Sequence, residues 1–384
     1  VQHDSWIVRP NLGRFPGGTW RIGDCTTPGD AVERLATEVA GSSPAPAYRK
    51  LDWHTATLHH APRVLGARDK VAAMQEWLAE LHDAHTWLHP VPPLGEFPYD
   101  VWVEKGSATF ITVAEDTPAW LAGVRPGHRL EGEDIAGWWR RTAASAQLKP
   151  WLTGRRMLET PLGSFRRFVA RSPAGRIAEW QEMPPTERWP TLVDHRRLPS
   201  GNGYLRIAAW IAGRDIESSI DAAFDALRGV RRLIVDLRGN SGGNLALAQA
   251  FRNRFLLRDG PVGWVATTRP DGRLGPRDPL LGEPAPVTQR WNGNVIFLTD
   301  AMTYSSSEDA LLGLQGLPHV RVVGQPSGGG SGRLRMLRLV PGWRLTISTA
   351  LTYDLRGHCI EGNGIPVDVT VPMGGHTLDI ADRM

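Results

Sequence analysis

A chain of 384 residues with 41% hydrophobic and 22% charged residues has the composition of a globular protein and enough length for two or three packed units around one large core. The formal charge is only +4, and the forty arginines are dispersed instead of alternating with aromatics, which argues against nucleic acid as a partner. No apolar stretch approaches a bilayer span, and the start VQHDSW shows neither a leader nor an initiator methionine. Secreted or periplasmic location after leader removal and cytoplasmic location both stay open.

Residues 1–94 read as an N-terminal helical lobe. Within it, Val71, Met74, Leu78 and Leu81 recur at helical spacing, and four residues further on His85 falls at or just past the helix end. HPVPPLGEFP then breaks regular structure. Residues 95–190 read as a β-rich module with a strand at 108–113, a Thr-Pro helix start closed by Gly123, and the tight turn RPGHRL; the stretch 138–200 is expected to finish that module and supply a lid or linker. Residues 191–384 alternate strands with helices, an α/β layered core. Its strands are GYLRIAAW, 230–237, 294–299, VRVVG and one long alternating strand from Trp343 to Tyr353. Helices with Ile216, Ile220, Phe224 and Leu227, and with Leu245, Leu247, Phe251 and Phe255, lie between them.

Two segments carry the chemistry. LIVDLRGNSGGN, at 233–244, is a buried strand running into a glycine-rich turn that presents backbone N–H groups. TDAMTYSSSEDALLGL, at 299–314, places three serines at a helix start with Glu308 in the first turn, where a helix dipole would favour a developing oxyanion. Together they suggest a serine acyl-transfer site. The last of the four lysines is Lys149, so a base supplied by the C-terminal half cannot be lysine, and histidine is the obvious substitute.

The sequence also allows other readings. His82, His85 and His89 at i, i+3 and i+7 would share a helical face and suit zinc, but HExxH is absent and Pro90 ends the segment, so neither metal nor cofactor is expected. Cys25 and Cys359 fit no zinc spacing and leave one long-range disulfide and two isolated thiols both open. GQPSGGGSG lacks the Lys-Ser/Thr of a phosphate loop and reads as a site-edge loop. Trp87, Trp138, Trp139, Trp151 and Trp180 stand in polar contexts, suited to packing between lobes or to an aromatic substrate wall.

At LAELHDAHTWL, AEDTPAWLAGVRPGHRL, LIVDLRGNSGG, TYSSSEDAL with VVGQPSGGG, and IEGNGIPVD the chain resembles the S41 peptidases, the family of C-terminal processing proteases and tricorn core proteases. The resemblance covers most of residues 70–370. It implies a ClpP/crotonase-like α/β core, a PDZ-like module that binds or gates substrate, and a peptide or peptide-like substrate. No lysine stands near Gly330, where the processing proteases carry their base, whereas DAHT at 83–86 resembles the Ser-His branch. The resemblance therefore implies Ser305 as nucleophile, with Ser306 and Ser307 as competitors, His85 as base, and Glu361 as the orienting acid, with Asp354 or Asp83 as substitutes. Oxyanion donors would be the backbone N–H groups of Gly242, Gly243 and Ser306. The expectation is a serine peptidase working through an acyl-enzyme, with no metal, no cofactor and an open oligomeric state. The alternatives are a specialised acyl hydrolase, transferase or cyclase on a modified peptide-like molecule, or a catalytically silent ligand carrier on the same scaffold.

Overall fold

The structure is a computed structural model describing residues 27–384 apart from 91–93, 187, 189, 190, 331 and 341; Cys25 lies outside the described residues. The strands after residue 191 form a six-stranded sheet in the order Val369–Thr370, Val320–Gly324, Val295–Thr299, Leu233–Asp236, Gly203–Ile207, Val193–Arg197. All neighbours pair parallel except Val193–Arg197, which joins antiparallel at the edge. A parallel sheet must be covered on both faces, and the period-2 alternation of its side chains supplies both. Leu205, Leu233, Val235, Phe297 and Val322 pack with residues of the Ile216–Ala226 and Leu245–Asn253 helices. Tyr204, Ile234, Ile296, Leu298 and Val323 point the other way, onto a cluster that includes Ala381 of the C-terminal helix Thr377–Arg383.

The β-rich module is a five-stranded antiparallel sheet built around Phe110, Phe168 and Trp180. The stretch 138–200 finishes this module as expected, and only the lid-or-linker part of that expectation needs correction, for the residues up to Glu182. That stretch holds the end of the Ile135–Arg141 helix, the Lys149–Leu158 helix and the strands Arg166–Arg171 and Ile177–Glu182, which complete the module's sheet. The irregular sequence misled because amphipathic residues do the packing: Trp151 and Arg156 are buried, and Trp138 lies under the Arg141 guanidinium. Trp87, Trp151 and Trp180 are likewise buried, so packing accounts for them.

The N-terminal lobe stacks the helices Pro28–Ser42, Trp53–Gly66 and Lys70–Ala79, each capped by a side chain, from Thr27, Asp52 and Asp69. Met74, Leu78 and Leu81 are buried as the periodicity predicts. The last helix stops at Ala79, His82 takes a left-handed φ of 50°, and His89 lies in the strand Trp87–Pro90, so His82, His85 and His89 do not share a helical face. That strand pairs with Trp343–Ser348, which pairs in turn with Leu334–Val340. The expected long strand thus divides at Thr349: Trp343–Ser348 joins the N-terminal lobe, and Ala350–Tyr353 pairs with the hairpin strand Gly260–Thr268. Thr349 bridges both, donating its N–H to Arg333 and accepting from Thr268.

Candidate active site

Three loops leave the carboxyl ends of adjacent parallel strands: 237–244, 300–305 and 325–330. Ligands of open α/β sheets bind at such ends. Hydrogen bonds tie the loops together. Asp300 Oδ1 accepts from the N–H groups of Gly239, Met302 and Thr303, Thr303 Oγ1 donates to the Leu237 carbonyl, and the Tyr304 N–H donates to the Asn240 carbonyl. Burial pushes the Asp300 carboxyl up to about 6, against those N–H donors.

Ser305 caps this turn with φ 57° and ψ −123°, a conformation that costs a non-glycine residue roughly 1–3 kcal/mol. Glu308 holds it there by accepting the Ser305 N–H at 2.9 Å. Of the three serines, Ser305 is the one whose hydroxyl faces an imidazole. Ser306 Oγ donates to the Gly243 carbonyl at 2.7 Å, and Ser307 Oγ accepts from Trp210 Nε1 at 2.9 Å.

The side chain that faces Ser305 comes from the N-terminal part of the chain. His85 Nε2 lies 2.9 Å from Ser305 Oγ. Its position is set by a turn in which Asp83 Oδ1 accepts the His85 N–H at 3.0 Å and Asp83 Oδ2 accepts from Thr86 Oγ1 at 2.5 Å. Arg156 donates to the neighbouring Ala84 carbonyl at 3.0 Å while stacked on Trp87. Desolvation holds the His85 imidazole down at about 4, with Arg156 adding to it and Asp83 opposing.

Nδ1 of His85 faces the Tyr304 hydroxyl at 3.0 Å, and the two rings lie 4.7 Å apart. The sequence leads one to expect Glu361 at the imidazole, whereas Nδ1 meets the Tyr304 hydroxyl. Burial, and then the charge of Glu361, push the Tyr304 hydroxyl well above its ordinary value and keep it protonated. Glu361 is itself buried, with Arg49 3.9 Å away. Asp354, the alternative acid, accepts the N–H groups of Arg356 and His358 within its own turn. Tyr304 escaped the sequence reading because a tyrosine beside a serine run has no diagnostic spacing.

Of the expected oxyanion donors, the Gly242 N–H donates to Asn240 Oδ1 at 3.0 Å. The N–H groups of Gly243 and Ser306 carry no hydrogen bond among the described residues, and Gly243 is exposed. Gly242 is needed for close approach: at φ 100°, a Cβ there would sit 2.8 Å from Ser305 Cβ. The helix after Ser305 spans only Ser306–Asp309, a single turn, so local N–H groups rather than a macrodipole face the site.

Beneath the serine turn, the glycine loop 328–330 wraps Glu308. Its carboxylate accepts from Ser327 Oγ at 2.5 Å and from the N–H groups of Gly329 and Gly330 at 2.8 and 2.9 Å. Burial pushes this carboxyl up to about 8 against the pull of its donors. Gly330 lies flat against the Tyr304 ring, where any Cβ would overlap it.

Residues 201–371 match the model of peptidase family S41. No curated protein sequence matches the chain. Among solved structures, a putative peptidase from Parabacteroides merdae ATCC 43184 is 18% identical with a TM-score of 0.60, covering 93% of this chain and 96% of its own. The photosystem II D1 C-terminal processing protease is 17% identical with a TM-score of 0.61, covering 90% and 94%. Mature CPAF is 13% identical with a TM-score of 0.67, covering 90% and 93%. The family match lies within the α/β region, and these solved structures share the fold over 90% or more of the chain. The family match and the shared fold together support a peptidase of the S41 type.

Proposed function

We propose that the protein hydrolyses peptide bonds through an acyl-enzyme on Ser305, with His85 as general base. The observation that carries this is the 2.9 Å contact between Ser305 Oγ and His85 Nε2. In the tautomer competent for catalysis, Nδ1–H donates to Tyr304 Oη and Nε2 accepts from Ser305. Ser305 Oγ attacks the carbonyl carbon as its proton passes to Nε2, and the Gly243 and Ser306 N–H groups receive the oxyanion. The tetrahedral intermediate collapses as the imidazolium protonates the departing amine, leaving an ester on Ser305. Water, deprotonated by His85, then cleaves that ester and returns the proton to Oγ. Tyr304 holds the ring, the Asp83 carboxylate favours the imidazolium by charge, and Glu361 acts by charge on the Tyr304 hydroxyl.

Intact-mass analysis after treatment with an alkyl fluorophosphonate tests the assignment. One adduct is expected on the native protein and none on Ser305→Ala, with labelling of His85→Ala slowed at least ~10²-fold. An adduct that survives Ser305→Ala refutes the assigned nucleophile.

A further inference from the structure

We propose that Arg155 is a positioning residue that holds the glycine turn carrying the Gly243 oxyanion donor, and that it does so from the PDZ-like module. The inference rests on the Ser305–His85 reading above. The 237–244 turn is anchored at its sides, where Asn240 Nδ2 donates to the Ile207 carbonyl at 3.0 Å and the Asn244 N–H donates to the Trp210 carbonyl at 2.6 Å. Its tip is Ser241, one residue before Gly242. The Ser241 hydroxyl accepts from Arg155 Nη1 at 2.8 Å.

Arg155 is well placed to act as a fixed post. It projects from the Lys149–Leu158 helix, which packs on the strand Tyr99–Glu104 so closely that Gly154 leaves no room for a Cβ beside the Val101 carbonyl. Its second amino group pairs with Glu96, whose other oxygen takes Arg188 Nη1 at 3.0 Å, and the guanidinium lies 5.1 Å from the Trp151 ring. Burial alone would raise the Glu96 carboxyl, but the two arginines outweigh it and hold it below the ordinary value. A planar guanidinium fixed on one edge by a carboxylate is pre-organised to donate from the other.

The same segment reaches the remaining loops of the site. Ser145 Oγ donates to the Gly328 carbonyl at 2.5 Å, Gln147 Nε2 donates to the carbonyls of Ser327 and Gly362 at 3.3 Å, and Arg156 reaches the Ala84 carbonyl. Among these contacts, Arg155–Ser241 is the one directed at the turn that presents an oxyanion donor. Displacement of such a group by about 1 Å can cost on the order of 10²-fold in rate.

The test is the time course of fluorophosphonate labelling across a concentration series, on the full chain, for the native protein, Arg155→Gln, Arg155→Lys, Ser241→Ala and the Arg155→Gln/Ser241→Ala pair. Arg155→Gln and Ser241→Ala are each expected to slow the limiting rate about 10-fold or more, with the half-saturating concentration unchanged. The pair should be no slower than either single variant, because one contact is lost in all three, and Arg155→Lys should recover part of the rate. Labelling of Ser241→Ala at the native rate overturns the inference, as do losses that multiply in the pair. Ser241→Ala leaves the Glu96 cluster untouched, so it decides the matter even if Arg155→Gln fails to fold. A native protein that takes no adduct overturns the Ser305 reading itself, an outcome distinct from either.

Discussion

At the scale of single residues, the proposed role of His85 makes its depressed imidazole the group that would set the acid limb of activity. A base must be neutral to accept the Ser305 proton, and a histidine at its ordinary value of 6.5 would be mostly charged at pH 5.5. Desolvation toward about 4 keeps the ring neutral there. The fluorophosphonate labelling rate at pH 5.5 is therefore expected to stay within about 2-fold of that at pH 7.5, where an unperturbed histidine would give a fall of roughly 10-fold. The stability linkage has the matching sign. The folded pKa lies below the unfolded one, so the contribution is complete above 6.5 and is lost as pH falls through about 4, because the unfolded chain takes the proton first. Ser305 and His85 were legible in sequence because each sits in a block whose neighbours have fixed jobs. Asp83 and Thr86 build the histidine turn, and Glu308 holds the serine. Tyr304 was not, since its role depends on a ring packing against a loop more than twenty residues further along the chain.

At the scale of elements, the glycine loop 328–330 is a support whose backbone does the work. Its N–H groups hold Glu308, and its lack of side chains lets Tyr304 reach the imidazole. Gly330→Ala is expected to cost about 1–3 kcal/mol by overpacking the Tyr304 ring, and to suppress labelling of Ser305 more than that loss of stability accounts for. Chemical denaturation paired with labelling at a temperature where the variant stays folded checks this; native-rate labelling would show that Tyr304 is dispensable. Read from sequence, the loop was only a flexible edge, because QPSGGGSG says that side chains are absent and not what fills their place. The regular alternation of the α/β core was legible for the opposite reason: each buried face of the sheet imposes its own period on the chain. The strand from Trp343 to Tyr353 kept that period while changing sheets at Thr349, a division periodicity cannot register.

At the scale of the molecule, the N-terminal lobe and the α/β region are not separable at residue 191. Leu339, Leu345 and Ile347 are fully buried in a cluster they share with Leu35, Trp77 and Leu88. A fragment of residues 191–384 would carry Ser305 but expose these strands without cover. It is expected to aggregate, melt without cooperativity and take no fluorophosphonate adduct. A monomeric fragment with a sharp thermal transition would show that the lobes fold independently. Boundaries read along the chain missed this because two C-terminal strands complete an N-terminal core.

The separation of His85 from Ser305 by 220 positions also has a temporal meaning. A ribosome delivers the imidazole early, the strained serine late, and the loop that steadies Tyr304 and the carboxylate at Glu361 later still. Until those last segments emerge, the proposed Ser305–His85 pair is unassembled in the nascent polypeptide, so synthesis from N- to C-terminus would itself postpone any reactivity of the serine.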